Sequence, residues 1–133
     1  MSLPRFLSRR LPGGLLLAFA ATAQAHVSLE WPVAMAGSAY KASFKIGHGC
    51  GASPTRQVVV EIPEGVSRAR PMPHPGWSVE VQRAPLAQAR NDHGRTVTED
   101  VVRISWTART EADHLRNEHY DEFALHARLP GQA

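Results

Sequence analysis

Apolar and polar residues alternate with a period of two in several stretches of the chain. The clearest stretch is residues 38–46. One side of it holds Tyr40, Ala42, Phe44 and Ile46, and the lysines between them fall on the other side. Successive side chains of a β-strand point to opposite faces, so this alternation is typical of a strand with one buried face. The sequence therefore predicts a strand over residues 38–46.

The same reasoning predicts further strands, separated by stretches rich in Gly, Pro, Asn and Asp. In the segment 101–106, Val102, Ile104 and Trp106 are expected to share one face. Only residues 110–119 could hold a helical turn. Short strands at this spacing favour an all-β fold, an antiparallel β-sandwich of the immunoglobulin or cupredoxin kind that could be incomplete. The other predicted strands are 26–31, 57–62, 77–81 and 121–129.

Residues 1–25 have the pattern of an export signal. Three arginines precede an apolar run at 14–21, and Ala23-Gln24-Ala25 forms a small-x-small cleavage box. The apolar run is much shorter than the roughly 20 residues of a transmembrane helix. We therefore expect a signal peptide at 1–25, one mature domain at 26–133 with no membrane span, and a periplasmic or other extracytoplasmic location. The pair Arg9-Arg10 leaves both the general and the twin-arginine export routes open.

The charge balance argues against nucleic acid as a partner. The leader holds three of the 15 basic residues and none of the 12 acidic ones, so residues 26–133 carry twelve of each. Proteins that bind nucleic acid need a surplus of positive charge facing the phosphates. The basic pI belongs to the leader.

Cleavage after Ala25 would make His26 the first residue of the mature chain. Its α-amine and its ring Nδ1 could then close a chelate ring on one metal ion, and such nitrogen ligands suit Cu(II). Both groups must be deprotonated, so affinity should fall in acid. The alternative is that a histidine follows the cleavage point by chance.

A second cleavage box, Ala21-Thr22-Ala23, leaves the mature start open. Cutting there would give a chain beginning Gln24-Ala25-His26, with the histidine in third position. A third-position histidine also chelates Cu(II), through the amine, two amide nitrogens and the ring. The two cuts predict copper sites of different geometry.

Such a site would take an additional ligand, and a carboxylate is the expected type. Glu30 is nearest in sequence, but four residues along a strand span about 13 Å. Glu122 is the preferred candidate, because strands remote in sequence meet across a sheet. An outward carboxylate beside Phe123 without a metal role is the alternative. Trp31 and Trp106 could shield the metal but are expected to be core aromatics.

An ordered series of motifs resembles the YcnI-like copper-binding domain of exported bacterial proteins. The series is AHVSLE at 25–30, AGSAYKASFKIGHGCGASPT at 36–55, VVVEIPEGV at 58–66, PMPHPGWSVEV at 71–81, VVRISW at 101–106 and HYDEFALHARLP at 119–130. It spans nearly all of residues 26–133.

The resemblance implies a β-sandwich that binds one Cu(II) through a mono-histidine brace. On that pattern His26 supplies amine and ring nitrogen, and Glu122, in the DEF motif, supplies a carboxylate. The resemblance also implies a task in copper handling or delivery rather than catalysis, with a periplasmic copper chaperone or a membrane copper importer as candidate partners.

The chain departs from the similar proteins at its C-terminus. They continue past the segment at 129–132 with further strands, a second cysteine and a late tryptophan. On this comparison Cys50, the single cysteine, would lack its disulfide partner, and a sheet edge would be exposed.

Two other functions remain open from the sequence. A copper oxidase similar to the polysaccharide monooxygenases would need a second histidine near His26, and the candidates are His48, His114, His119 and His126. An envelope β-sandwich that binds a protein partner would need no metal. No nucleophile elbow, phosphate-binding glycine loop or zinc cluster occurs in the sequence.

Overall fold

The computed structural model describes residues 26–131, which form two antiparallel β-sheets. The first sheet has the strand order β1-β2-β7-β4, and the second has the order β3-β6-β5. This arrangement confirms the predicted all-β sandwich. The strands are β1 (Val27–Leu29), β2 (Ala39–Ile46), β3 (Gln57–Glu61), β4 (Ser67–Pro71), β5 (Trp77–Asp92), β6 (Arg95–Ala108) and β7 (Asp121–Arg128).

The core lies between the inward faces of the two sheets. Phe123 of β7 is 1% exposed, and its ring contacts Trp77 of β5 and Trp106 of β6 edge to face, with centroids 4.8 and 5.8 Å apart. Ile46 of β2 is 2% exposed. Aromatic side chains bury large apolar areas, so this cluster joins the sheets at the end of the sandwich where β2 ends and β7 begins.

Alternation predicted the inward face of β2 and β7 but failed in β6. Ile104 and Trp106 are fully buried as expected, whereas Val102 is 38% exposed and Val101 is buried instead. The register moves from Gln82 opposite Arg103 to Arg83 opposite Val101, so a β-bulge occurs at this point. A bulge inserts one extra residue and reverses which side chains face inward beyond it.

The strands β5 and β6 form a hairpin that is longer than the sequence pattern predicted. Its turn consists of His93 and Gly94, which have φ values of 51° and 79°. Two consecutive positive φ angles define the type I′ turn, whose twist matches that of the flanking strands. Strand β4 was not predicted, because its sequence SRARP has no apolar alternation.

The helical turn expected within 110–119 is a short 3-10 helix, Glu111–Asp113. It begins at Thr110, whose hydroxyl and backbone N–H both donate to the carboxylate of Asp113. The predicted signal peptide at 1–25 lies outside the described residues. Within the described part of the chain, no helix has the length and apolar character to span a membrane.

Candidate functional site

His26 immediately precedes β1 at one end of the first sheet. Val27 pairs with Ile46, the last residue of β2. The antiparallel register therefore brings His26 to the point where β2 ends and the loop 47–53 begins. Its side chain is exposed, so a metal ion could reach it from solvent.

The ring of His48, in that loop, lies beside the ring of His26. The two ring centroids are 5.9 Å apart and the planes are inclined by 59°. Nδ1 of His48 lies 2.9 Å from the carbonyl oxygen of Gly49. Since a carbonyl can only accept, Nδ1 carries the proton that it donates, and Nε2 of a neutral His48 ring has its lone pair free.

Asn117 fixes the loop that carries His48. Its side-chain oxygen accepts a 2.8 Å hydrogen bond from the backbone N–H of Gly49, and its Nδ2 donates a 3.0 Å bond to the carbonyl of Gly51. Gly49 is buried, and a Cβ there would lie 2.1 Å from the Ser53 carbonyl oxygen. The loop is therefore closely packed on the residues that follow the 3-10 helix.

Glu122 lies on β7 of the same sheet, and strand β2 separates it from β1, which follows His26. Lys45 of β2 pairs with Ser28 on one side and Glu122 on the other. Two strand spacings of about 4.8 Å put Glu122 about 10 Å from Ser28, and His26 lies two residues before Ser28. Within residues 26–131 no hydrogen bond or ion pair joins His26 to Glu122.

Both carboxylate oxygens of Glu122 accept hydrogen bonds. The Ser43 hydroxyl donates to Oε2 over 2.6 Å, and the Tyr120 hydroxyl donates to Oε1. These two bonds, Ser43 first, hold the pKa of Glu122 below its ordinary value, and the charges of Lys45 and Lys41 act in the same direction. The bond to Glu122 in turn raises the pKa of Tyr120 to about 12. Glu122 is thus kept as an anion.

Sequence reasoning did not single out Ser43 or Tyr120. Ser43 occupies an outward position of β2 yet is only 2% exposed, and Tyr120 stands two residues before Glu122. For Tyr120 the one available signal was its spacing of two residues from Glu122, the spacing that puts side chains of a strand on one face; no signal pointed to Ser43.

The two tryptophans considered as shields have different surroundings. Trp106 is a core residue, as expected, and its Nε1 donates a 2.9 Å hydrogen bond to the carbonyl of Met72. Trp31 is 67% exposed, so the expectation that it is a core aromatic was wrong. The reason is that β1 ends at Leu29 and the chain then leaves the sheet, with the Trp31 carbonyl accepting a hydrogen bond from Tyr40.

His74 is a further histidine near the start of β7. Its ring stacks on Phe123 with centroids 4.5 Å apart, and its Nε2 lies 3.1 Å from Oδ2 of Asp121. It ties the loop after β4 to the strand that carries Glu122. No sequence pattern connects these residues, because they are far apart in the chain.

No group of three histidine, cysteine, aspartate or glutamate side chains with metal-binding geometry occurs within residues 26–131. A metal held at His26 would therefore need the backbone amine as one donor. One condition of the oxidase alternative, a second imidazole near His26, is met by His48. Of the other candidates, His114 lines the cleft between the sheets.

A cleft of about 920 Å³ opens between the edges of the two sheets. Its lining includes Val27 and Ile46 of the first sheet, Val58 of the second sheet, and Cys50. Cys50 is free and exposed. The cleft follows strand β3, which pairs only with β6 within the described chain.

Comparison with known proteins gives a family and a small number of solved structures that are similar to the chain. A family model described as a domain of unknown function, DUF1775, matches residues 26–133. The chain is also similar to an uncharacterized protein from Nocardia farcinica whose crystal structure is described as revealing an immunoglobulin-like fold. The two are 25% identical with a TM-score of 0.59, and the match covers 80% of this chain and 68% of that one. No curated protein matches the chain.

Proposed function

The chain belongs to the DUF1775 family of domains of unknown function, and we propose that it is an exported protein that binds one Cu(II) ion at its mature amino terminus. His26 would supply the α-amine and ring Nδ1, and Glu122 a carboxylate from the same sheet. The protein would act in copper handling or delivery.

The position of His26 is the observation that carries this proposal. The family match begins at residue 26, the residue that follows the predicted cleavage box. His26 is exposed and lies directly before β1, so an amine formed there would be held next to a rigid sheet. Amine and imidazole nitrogens are good ligands for Cu(II).

The electrostatics of Glu122 also support a cation site. Hydrogen bonds from Ser43 and Tyr120 lower its pKa and keep it ionised. An anionic carboxylate needs to lose no proton when it binds a metal, whereas the amine and imidazole must be neutral. Copper affinity should therefore fall as the pH drops and these nitrogens are protonated.

The test uses three forms of the protein that differ only in where the chain begins. One form begins at His26, one at Gln24 and one at Ala21, so that the histidine stands first, third and sixth. We expect the form beginning at His26 to bind one Cu(II) tightly and the form beginning at Ala21 to bind weakly. The Gln24 form should bind Cu(II) with a different absorption spectrum, because two amide nitrogens then coordinate.

The result that would overturn the proposal is equal copper binding by the His26 and Ala21 forms, or no tight binding by the His26 form. Sequencing the first residues of the secreted protein decides which form exists in the cell. A secreted protein that still carries more than two residues before His26 would also contradict the proposal.

The cleft beside β3 favours one alternative, a protein-interaction module without a metal role. An extended peptide could add to the free edge of β3 and place side chains in the cleft, as in other β-strand additions. Absence of tight copper binding in all three forms would favour this alternative.

A further inference from the structure

We propose that His48 is a third nitrogen ligand of the copper site, through its Nε2. This inference rests on the proposed function, because it concerns the ion held by His26. It adds one nitrogen to the proposed ligands, which then comprise the amine, His26 Nδ1 and His48 Nε2 together with the Glu122 carboxylate.

The distance between the two rings fits a shared metal ion. With a metal–nitrogen bond of about 2.0 Å, two imidazoles on one ion have centroids about 4.5 Å apart at a right angle and about 6.3 Å apart in line. The observed separation of His26 and His48 is 5.9 Å. The observed separation therefore lies within the range that two imidazoles bound to one ion can have.

The hydrogen bonding of His48 matches that of a metal ligand. Imidazoles that bind metals almost always donate their other ring N–H to a carboxylate or a backbone carbonyl, which fixes the tautomer. Nδ1 of His48 has this partner in the Gly49 carbonyl, at 2.9 Å. Within the described residues, no hydrogen bond or ion pair involves Nε2 of His48, and the side chain is exposed.

The loop 47–53 holds His48 in this position. Asn117 binds the loop at the Gly49 N–H and at the Gly51 carbonyl. The packing of Gly49 against Ser53 leaves no room for a side chain. His48 is thus supported on one side by fixed backbone, while the β1–β2 register brings His26 to the other side.

The test compares two matched substitutions, His48→Asn and His93→Asn, in the form that begins at His26. An asparagine at position 48 keeps a donor for the Gly49 carbonyl but has no counterpart of Nε2. His93 lies at the tip of the β5–β6 turn with its side chain 85% exposed, and asparagine tolerates its positive φ. The probe is Cu(II) alone, followed by competition titration and by the nitrogen couplings in the electron paramagnetic resonance spectrum.

We expect His48→Asn to weaken Cu(II) binding at least about tenfold, the least that loss of even a supporting partner costs, and to remove one coordinated nitrogen. His93→Asn should change neither quantity. Unchanged affinity and nitrogen number in His48→Asn would overturn this inference while the chelate at His26 stands. Failure of the unsubstituted His26 form to bind Cu(II) would instead overturn the proposed function and this inference with it.

Discussion

The hydroxyl of Ser43 on β2 donates a 2.6 Å hydrogen bond to the carboxylate of Glu122 on β7. Ser43 pairs with Ala124 and Glu122 with Lys45, so the two residues are diagonal neighbours across the ladder. Ser43 is 2% exposed, and its hydroxyl is therefore committed to this contact. The pair fixes one carboxylate oxygen at an outward position of the first sheet.

Replacing Ser43 by alanine should raise the pKa of Glu122 toward its ordinary value. The Ser43 bond is the largest cause of the lowered pKa, and alanine has no donor. The pKa of Glu122 can be followed by the NMR chemical shift of its side-chain carboxyl carbon as the pH is varied. Ser78→Ala is the control, because Ser78 donates to the Thr107 carbonyl on the other sheet.

The same change should reduce the acid sensitivity of folding. A carboxyl whose pKa is lower in the folded protein contributes stability above its unfolded pKa, and this contribution is lost as the pH falls through the folded pKa. The unfolding free energy of Ser43→Ala should therefore vary less with pH below the ordinary value of 4.5. A Glu122 pKa that stays the same in the variant would contradict the assigned cause.

Tyr120 should ionise far above an ordinary tyrosine, with a pKa of about 12. The carboxylate of Glu122 accepts its hydrogen bond and repels the phenolate. Glu122→Gln removes the charge, so the pKa should fall toward 10.0. Folding raises the pKa of Tyr120, so its interaction with Glu122 stabilises the folded protein. This contribution is fully present below pH 10 and is lost as the pH rises toward 12.

Ultraviolet absorbance of the phenolate measures this titration directly. The chain has two tyrosines, so Tyr40→Phe isolates the signal of Tyr120. The Tyr40→Phe background is used for both titrations, one with Glu122 intact and one with the Glu122→Gln substitution. An identical Tyr120 pKa in the two proteins would show that the charged carboxylate of Glu122 does not control it.

The inward faces of β2 and β7 could be predicted from the sequence because alternation there is unbroken. Phe44, Ile46, Phe123 and Leu125 all contact the core as expected. The face of Val102 could not be predicted, because a bulge depends on how two strands pair and leaves no local pattern. Strand β4 was missed for a related reason, since its backbone pairs with β7 while its sequence lacks apolar alternation.

Phe123→Ala should destabilise the fold by about 3–5 kcal/mol, as is usual for truncating a buried aromatic residue. Phe123 is 1% exposed and contacts Trp77, Trp106 and His74. Urea unfolding followed by tryptophan fluorescence measures the change. Val59→Ala is the control. Val59 is 47% exposed on β3, so this substitution should lower the free energy of unfolding by about 1 kcal/mol or less. A loss of that small size in Phe123→Ala would contradict its central place in the core.

Part of the candidate site was predicted from the sequence. The cleavage pattern predicted His26 as a ligand, and the meeting of remote strands across a sheet, together with the family resemblance, predicted Glu122; both stay predictions. The pairing of His26 with His48 depends on the β1–β2 register and on the shape of the loop 47–53, which spacing does not determine. His48 was therefore one of four equivalent histidine candidates until the structure placed its ring 5.9 Å from that of His26.

Asn117→Ala should loosen the loop that carries His48. The buried Gly49 N–H loses its acceptor, and an unsatisfied buried donor costs about 1–3 kcal/mol. Local opening should increase by the corresponding factor of roughly 5 to 150. Hydrogen exchange of the Gly49 amide, measured by NMR, should accelerate to that extent.

A matched control is Asn91→Ala, which removes the acceptor of the Gly94 N–H at the tip of the β5–β6 hairpin. It should leave the exchange of Gly49 unchanged, because the hairpin tip and the loop 47–53 share no hydrogen bond in the described chain.

If His48 is a copper ligand, Asn117→Ala should also weaken Cu(II) binding in the form that begins at His26, since the ring must then be ordered when the metal binds. Faster exchange at Gly49 with full copper affinity would show that the loop does not position a ligand, whereas unchanged exchange would show that Asn117 does not hold the loop.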